Sequence, residues 1–429
     1  MAAIVMFPLV AVALASTLPM FVALAVVAFV TFALTSDIPL SILPQRMFSG
    51  LDSFPLMAIP FFILAANIMG RGGLSVRLIR FVQSLVGHLP GGLGITSVLT
   101  CVIFGAITGS SASTIVAAGG ILYPALRQAG YPERFALGVV TCSALLGMII
   151  PPSNAMIVYG AVASVSVGAL FISGIGAGIV FGLIYIVYCY TYAKVMGLPQ
   201  TRRATLGEIG QAAWRVAWGL GMPVIILGGI YGGIFTPTEA AAVSVIYAGV
   251  VCLFVYRGMD LRGLWEVCIE SALTTARVLI MVASATLFSW LLTVTGVTAS
   301  IVQPLAELSP PPWLLLLLCN VAFLVTGMFV DVFSSILILV PILLNPVTAA
   351  GIGGVHFGIV TTVNADIGNI TPPFGLNLFV ASGTFDRPYV TVVRAVLPWL
   401  ALALVGLMLI TYVPDLSLWL PRRLYPGVR

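Results

Sequence analysis

Charge is what this sequence has least of. Only 7% of its 429 residues are charged, against about 25% in a soluble domain. With 60% hydrophobic residues and a mean hydropathy of +1.17, no water-soluble fold could hide the apolar surface. The chain therefore reads as a polytopic helical membrane protein. Alternating ten-residue strands of a membrane barrel are missing. Histidine occurs twice, as His88 and His356, each near a predicted segment end and read as interfacial rather than catalytic. Six cysteines (Cys101, Cys142, Cys189, Cys252, Cys268, Cys319) lie singly in apolar segments, with neither metal nor redox spacing, and read as small buried hydrophobes. HExxH, GxSxG and P-loop motifs are lacking. That leaves a poor inventory for an enzyme and argues against ATP-driven transport by this chain alone. The net charge of +5 comes from a few inter-helix stretches. It is a topology signal rather than a nucleic-acid footprint.

Long apolar runs are what is there. Ala2–Leu34 is one long span or two short ones divided near Pro19, without the basic start of a signal peptide. A Pro- and Ser-rich loop covers Ser36–Ser53, then a span Phe54–Gly70. Arg71–His88, carrying Arg71, Arg77 and Arg80, reads as an interfacial amphipathic helix. Further spans are expected at Val167–Ala193, Gly219–Ile234, Ala240–Tyr256, Glu270–Gly296 and Val390–Tyr412. Thr236-Pro237-Thr238-Glu239 has the form of a capping box with Pro at the first helical position. Glu270 and Arg277 lie near one end of a predicted span, where snorkelling keeps such groups solvated.

Two double prolines interrupt apolar segments: Gly147-Met148-Ile149-Ile150-Pro151-Pro152-Ser153-Asn154 and Gly368-Asn369-Ile370-Thr371-Pro372-Pro373-Phe374-Gly375. Each pair breaks its helix, because proline lacks an N–H and clashes with the preceding turn. Both Gly and Pro recur at an offset of 221, and Gly138–Thr141 resembles Gly358–Thr361. Each broken helix (Phe135–Tyr159, His356–Ala381) follows an apolar stretch with a small-residue interruption, read as a re-entrant hairpin: Gly91–Gly130 and Trp313–Ala350. Paired interruptions in two halves point to a transporter binding site. Five crossings lie between the hairpins, so the second enters from the opposite face and the repeat is inverted. The stretches Arg71–Arg80, Lys194–Arg203 and Arg257–Arg262, with Arg387, fall on one side, which should be cytoplasmic. Arg422, Arg423 and Arg429 fall on the other.

The first tip, Phe104–Thr114, holds Gly105, Gly109, Ser110, Ser111 and Ser113, and glycine permits close backbone approach. Its hydroxyls and carbonyls suit a hard cation or an oxyanion; helix packing of small residues is the structural alternative. The second tip, Gly327–Ser335, carries Asp331, an ionisable group between apolar arms and also a candidate N-cap. Offset by 221, Ser110 corresponds to Asp331 and Ser113 to Ser334. The breaks offer carbonyls with Ser153, Asn154, Thr371 and Asn377. Asp366 serves a cation site or pairs with an arginine; Asn364 and Asn369 flank it. One tip and one break per half give two cation sites with an anionic substrate between them.

The stretch Pro44-Gln45-Arg46-Met47-Phe48-Ser49-Gly50-Leu51-Asp52-Ser53-Phe54-Pro55-Leu56-Met57-Ala58-Ile59-Pro60 resembles the large membrane subunit of TRAP transporters. So do Gly72-Gly73-Leu74, Gly109-Ser110, Ile150-Pro151-Pro152-Ser153, Gly232–Ala240, Leu339–Leu344 and Thr371-Pro372-Pro373-Phe374-Gly375-Leu376-Asn377. The resemblance spans essentially the whole chain. It implies an all-α, elevator-type, Na⁺-coupled importer of small organic acids in the bacterial inner membrane. A small four-helix membrane subunit and a periplasmic binding protein would be its partners, with the lipid bilayer as solvent and no nucleic acid. No fused four-helix unit is seen at the N-terminus, which implies a separate small subunit.

By motif, one Na⁺ site takes Ser110, Ser111, Ser113, Ile149, Pro151 and Ser153. The other takes Asp331, Ser334, Thr371, Pro372 and Gly375. Asn154, Asn377, Ser111 and Ser335 are expected at the substrate. Where the family often continues Gly-Ser-Ala-x-Ala-Asp, this chain has Gly109-Ser110-Ser111-Ala112-Ser113-Thr114, without the acid. The implied organisation is scaffold at 1–90 and 166–312, transport repeats at 91–165 and 313–385, and a last span and tail at 386–429. No organic cofactor is implied. A stand-alone Na⁺/carboxylate symporter of a related inverted-repeat class is the alternative.

Overall fold

The computed structural model describes residues 2–15, 18–36, 38–308 and 310–425, and all regular structure among them is helical. The first apolar run is two helices, α1 (Ala2–Ala15) and α2 (Met20–Thr35), with Pro19 as the N-cap of the second. The stretch expected to be loop contains a short helix, α3 (Ile42–Ser49). Then come α4 (Ala58–Arg71) and α5 (Leu74–Val86), divided by Gly73 at φ +79°. Arg71 thus ends a span-forming helix rather than opening the amphipathic one. Helix α5 buries Leu74, Leu78, Ile79 and Val82 and exposes Arg80, as an i, i+4 apolar stripe requires.

The first hairpin runs through α6 (Gly92–Thr108), a turn at Gly109-Ser110, then α7 (Ser111–Thr114), a π-helical turn (Ile115–Gly119) and α8 (Gly120–Gln128). The first broken helix is α9 (Glu133–Ser143) with α10 (Leu146–Ile149), then the break, then α11 (Asn154–Ala163); its two arms bend by 41°. Next come α12 (Val167–Met196), α13 (Leu206–Tyr231), α14 (Pro237–Val250), α15 (Leu261–Val294) and α16 (Val297–Leu308). The second hairpin is α17 (Pro312–Phe329) and α18 (Val332–Ala349). The second broken helix is α19 (Gly354–Gly368) and α20 (Leu376–Phe385). The chain ends with α21 (Tyr389–Tyr412) and α22 (Asp415–Leu424).

Among the described residues eight helical stretches are long and apolar enough to cross a bilayer, or nine if the bent pair counts as one. Their outward faces carry side chains such as Leu183, Val224, Ile246 and Phe254, each more than half exposed, as lipid-facing residues are. Helices α13 and α15 start 13 and 9 residues earlier than expected, because Thr205 and Asp260 cap polar first turns. The expected box at Thr236–Glu239 forms: Thr236 Oγ1 accepts from Glu239 N, and the Glu239 carboxylate accepts from Thr236 N at 2.8 Å.

Three basic loops converge at one end. Thr201 N donates to Gly87 O at 3.3 Å, Arg77 donates to Gly72 O and Gly73 O, and its guanidinium lies 4.1 Å from the Tyr256 ring. Arg71 pairs with Glu266 and, at 3.6 Å, with Glu270. Glu270 therefore sits well inside α15 with an ion-pair partner, not near the helix end. His356 also departs from expectation: it is buried in α19, its Nε2 3.1 Å from Thr411 O on α21. Arg429 lies outside the described residues.

Candidate functional site

Each hairpin tip meets its own break through bare backbone. A Cβ on Gly105 would land on Gly147 Cα, and one on Gly327 would lie 2.9 Å from Gly368 Cα. Only glycine allows main chains this near. A backbone hydrogen bond closes each junction: Asn154 N donates to Gly109 O at 3.4 Å, and Gly375 N donates to Met328 O at 3.0 Å. Asn154 and Gly375 stand at the same offset of 221 as the prolines. Both Pro151–Pro152 and Pro372–Pro373 bonds are cis.

The tips are built alike. Ser110 caps α7, its Oγ accepting from Ser113 N at 3.4 Å; Asp331 caps α18, its Oδ2 accepting from Phe333 N at 2.9 Å and Ser334 N at 3.3 Å. Thr114 Oγ1 donates to Ser110 O at 2.9 Å, and Ser335 Oγ donates to Asp331 O at 3.0 Å. Asp331 Oδ1 also accepts from Ser334 Oγ at 2.6 Å. Both oxygens of Asp331 are therefore occupied, Oδ2 by capping amides that the new helix would otherwise leave orphaned and Oδ1 by the Ser334 hydroxyl.

The first predicted ion set is only partly gathered. Ser111, Ile149, Pro151 and Ser153 are buried, but Ser113 is exposed. Ser153 Oγ caps α11 through Met156 N at 3.4 Å. The Ile149 carbonyl faces Gly174 of α12, where a Cβ would collide with it. In the second set Thr371 Oγ1 turns back to Ile367 O at 2.8 Å, Pro372 is half-buried, and Gly375 (φ +34°) would place a Cβ 2.8 Å from Asn369 O. Ser335, expected at the substrate, is turned into its own helix.

A cross-half cluster gathers what the separate motifs could not. Ser111 Oγ donates to Asp366 Oδ1 at 2.7 Å, and Asn377 Nδ2 donates to Ser111 Oγ at 2.9 Å. All three residues are buried. Asp366 thus pairs with a tip hydroxyl, not with an arginine. Four buried side-chain oxygens around the breaks have no hydrogen-bond donor: Asn154 Oδ1, Asp366 Oδ2, Asn369 Oδ1 and Asn377 Oδ1. Leaving such acceptors unmatched costs about 1–3 kcal/mol each. Hard oxygens, one of them a carboxylate, fit a hard cation or the donor groups of a solute. Asn364 belongs elsewhere, donating to Asn320 O at 2.8 Å.

The profile described as the DctM component of tripartite ATP-independent periplasmic transporters matches residues 7–416. The C4-dicarboxylate TRAP transporter large permease protein DctM of Pseudomonas aeruginosa is 44% identical over 376 residues, 88% of each chain. The isethionate TRAP transporter permease protein DctMQ of Oleidesulfovibrio alaskensis is 40% identical over 402 residues, 94% of this chain and 63% of that one. In fold, the crystal structure of the YdaH transporter of Alcanivorax borkumensis is similar with a TM-score of 0.66 at 16% identity, covering 96% of this chain and 99% of that one. The chain belongs to the DctM family, the large permease component of tripartite ATP-independent periplasmic transporters.

Proposed function

We propose that this large permease subunit imports a small organic acid by secondary active, Na⁺-coupled transport in the bacterial inner membrane. A periplasmic binding protein delivers the acid, and a small four-helix membrane subunit completes the complex. The DctMQ relative, of which this chain matches 63%, supports that second partner by its name and length. C4-dicarboxylate and isethionate in the relatives' names are both small anions, which supports an organic-acid cargo.

One observation carries the ion-coupled reading: the two tip–break junctions repeat the same glycine contact and the same backbone bond at related positions. Repeated interrupted helices are where secondary transporters bind ion and substrate. Between the hairpins lie the broken helix and α12 to α15. Helix α16 has 12 residues and is only about 18 Å long, too short to cross. Reading the broken helix and α12 to α15 as five crossings supports an inverted repeat with the converging basic loops on the cytoplasmic side. Arms α17 and α18 are each long enough to span; the re-entrant assignment rests on their tip meeting the second break. The two repeats, 91–165 and 313–385, form a transport domain that moves as an elevator against scaffold at 1–90 and 166–312. Residues 386–429 add the last span. Ser110 and Ser153 in one junction, and Asp331 and Thr371 in the other, line the ion sites. Ser111, Asn377 and Asp366 lie between them, toward the substrate.

Reconstitution tests this directly. Proteoliposomes with this chain, its small subunit and its binding protein should take up the acid only under an inward Na⁺ gradient. Uptake by the chain alone would instead mark a stand-alone Na⁺/carboxylate symporter, and uptake indifferent to Na⁺ would remove the coupling.

A further inference from the structure

Among the described residues, the arginines of the basic end are not all paired. Arg71 is paired with Glu266 and Glu270, Arg202 with Glu208, and Arg77 is spent on Gly72 O, Gly73 O and the Tyr256 ring. Arg80 on α5 and Arg215 on α13 are exposed, and neither makes a hydrogen bond or an ion pair among the described residues. Both line two adjoining cavities, of about 400 Å³ and 690 Å³, that share Arg77 as well. Beyond Arg80 and Arg215 the smaller is lined by Gln83, Ser84, Thr201 and Gln211 and by the Arg202–Glu208 pair, whose carboxylate is already matched. The larger is walled by Val76, Val255, Trp214 and Trp218, and the two tryptophans are 72% and 45% exposed.

We infer that this cleft between α5 and α13 binds one anionic glycerophospholipid by its phosphate. The chemistry sorts by lobe. Two guanidiniums free of carboxylates hold a phosphate by charge-assisted, fork-like hydrogen bonds. The amide and hydroxyl lobe receives a hydroxylated headgroup such as phosphoglycerol. Exposed tryptophan beside aliphatic side chains suits the glycerol and upper acyl region, where Trp collects at membrane interfaces. Basic pockets between membrane helices bind lipid headgroups in this way. The lipid would tie the interfacial helix α5 to α13.

The test uses the complex of this chain with its small subunit. It is reconstituted in phosphatidylcholine vesicles doped with phosphatidylglycerol, extracted, and analysed by native mass spectrometry for retained lipid. Wild type should retain phosphatidylglycerol over phosphatidylcholine, and R80Q/R215Q should lower that retention about tenfold. R203Q, an arginine of the same end that lines neither cavity, should not. Equal retention by R80Q/R215Q overturns the proposal. Loss of the small subunit with lipid retention unchanged also overturns it, assigning the cleft to a protein contact. Should the double variant misfold, displacement from wild type decides. Phosphatidylglycerol should displace a fluorescent phosphatidylglycerol, and phosphatidylcholine should not. Displacement by inorganic phosphate just as well would make this a soluble-anion site and refute the lipid.

Discussion

Ser111 and Asp366 are 255 positions apart, yet the Ser111 hydroxyl donates to Asp366 Oδ1 at 2.7 Å, joining the first hairpin tip to the second broken helix. Asn377 donates to the same hydroxyl from beyond the second break. The two halves are thus connected through a buried polar cluster with one carboxylate oxygen left without a donor. Asp366→Asn removes the charge and keeps the shape. It is expected to lower Na⁺-driven uptake at least about tenfold, the scale of one charge-assisted contact, while the complex still assembles. Ser111→Ala removes a neutral donor, and its loss should be about threefold. Initial uptake rates in proteoliposomes, with gel filtration to check assembly, measure both.

Asp331 separates capping from ion binding. Asparagine caps a helix nearly as well as aspartate, so Asp331→Asn should melt like wild type, whereas Asp331→Ala should lose about 1 kcal/mol. If Asp331 also serves the ion, Asp331→Asn raises the Na⁺ concentration for half-maximal uptake. Full uptake at unchanged Na⁺ dependence would leave Asp331 a cap alone.

The glycine junctions should tolerate no added methyl. Gly105→Ala and Gly327→Ala each push a Cβ into the facing glycine backbone. Each should cost about 1–3 kcal/mol of stability by overpacking and abolish transport. Gly228→Ala, with open space around its Cβ position in α13, is the control. It should be neutral or raise stability by up to about 1 kcal/mol. Thermal unfolding in detergent compares the three.

Arg387 and Glu133 form an ion pair at 2.7 Å, and Arg387 Nε also donates to Tyr123 Oη at 3.0 Å. Both charged side chains are more than a third exposed, so solvent screens the pair. Arg387→Gln should leave the melting temperature unchanged at physiological salt. A large drop would mean the pair is far better shielded than its exposure indicates.

The breaks were legible because they are written locally. Double proline ends a helix whatever surrounds it, and Asp331 announces the next helix by capping chemistry. The spans were legible from apolar length alone, though their starts slipped where Thr205 and Asp260 cap polar turns. What the sequence hid depends on partners far along the chain. Asp366 was visible as an ionisable residue, but nothing near it names Ser111. His356 sits close to a helix start, yet α21 buries it. Helices α3, α16 and α22 went unseen because each has 12 residues or fewer and proline within its sequence.

The bare glycine junctions have a consequence for variation. A wall made of main chain offers no rotamers, so repacking of neighbouring side chains cannot adjust its spacing. Whatever lodges between tip and break meets a gauge set by covalent geometry. Substitutions on α12 or α15 can repack the side chains around them while that gauge stays as it is. Tolerance of change in one place and rigidity in the other follow from the absence of a single carbon atom at Gly105, Gly147, Gly327 and Gly368.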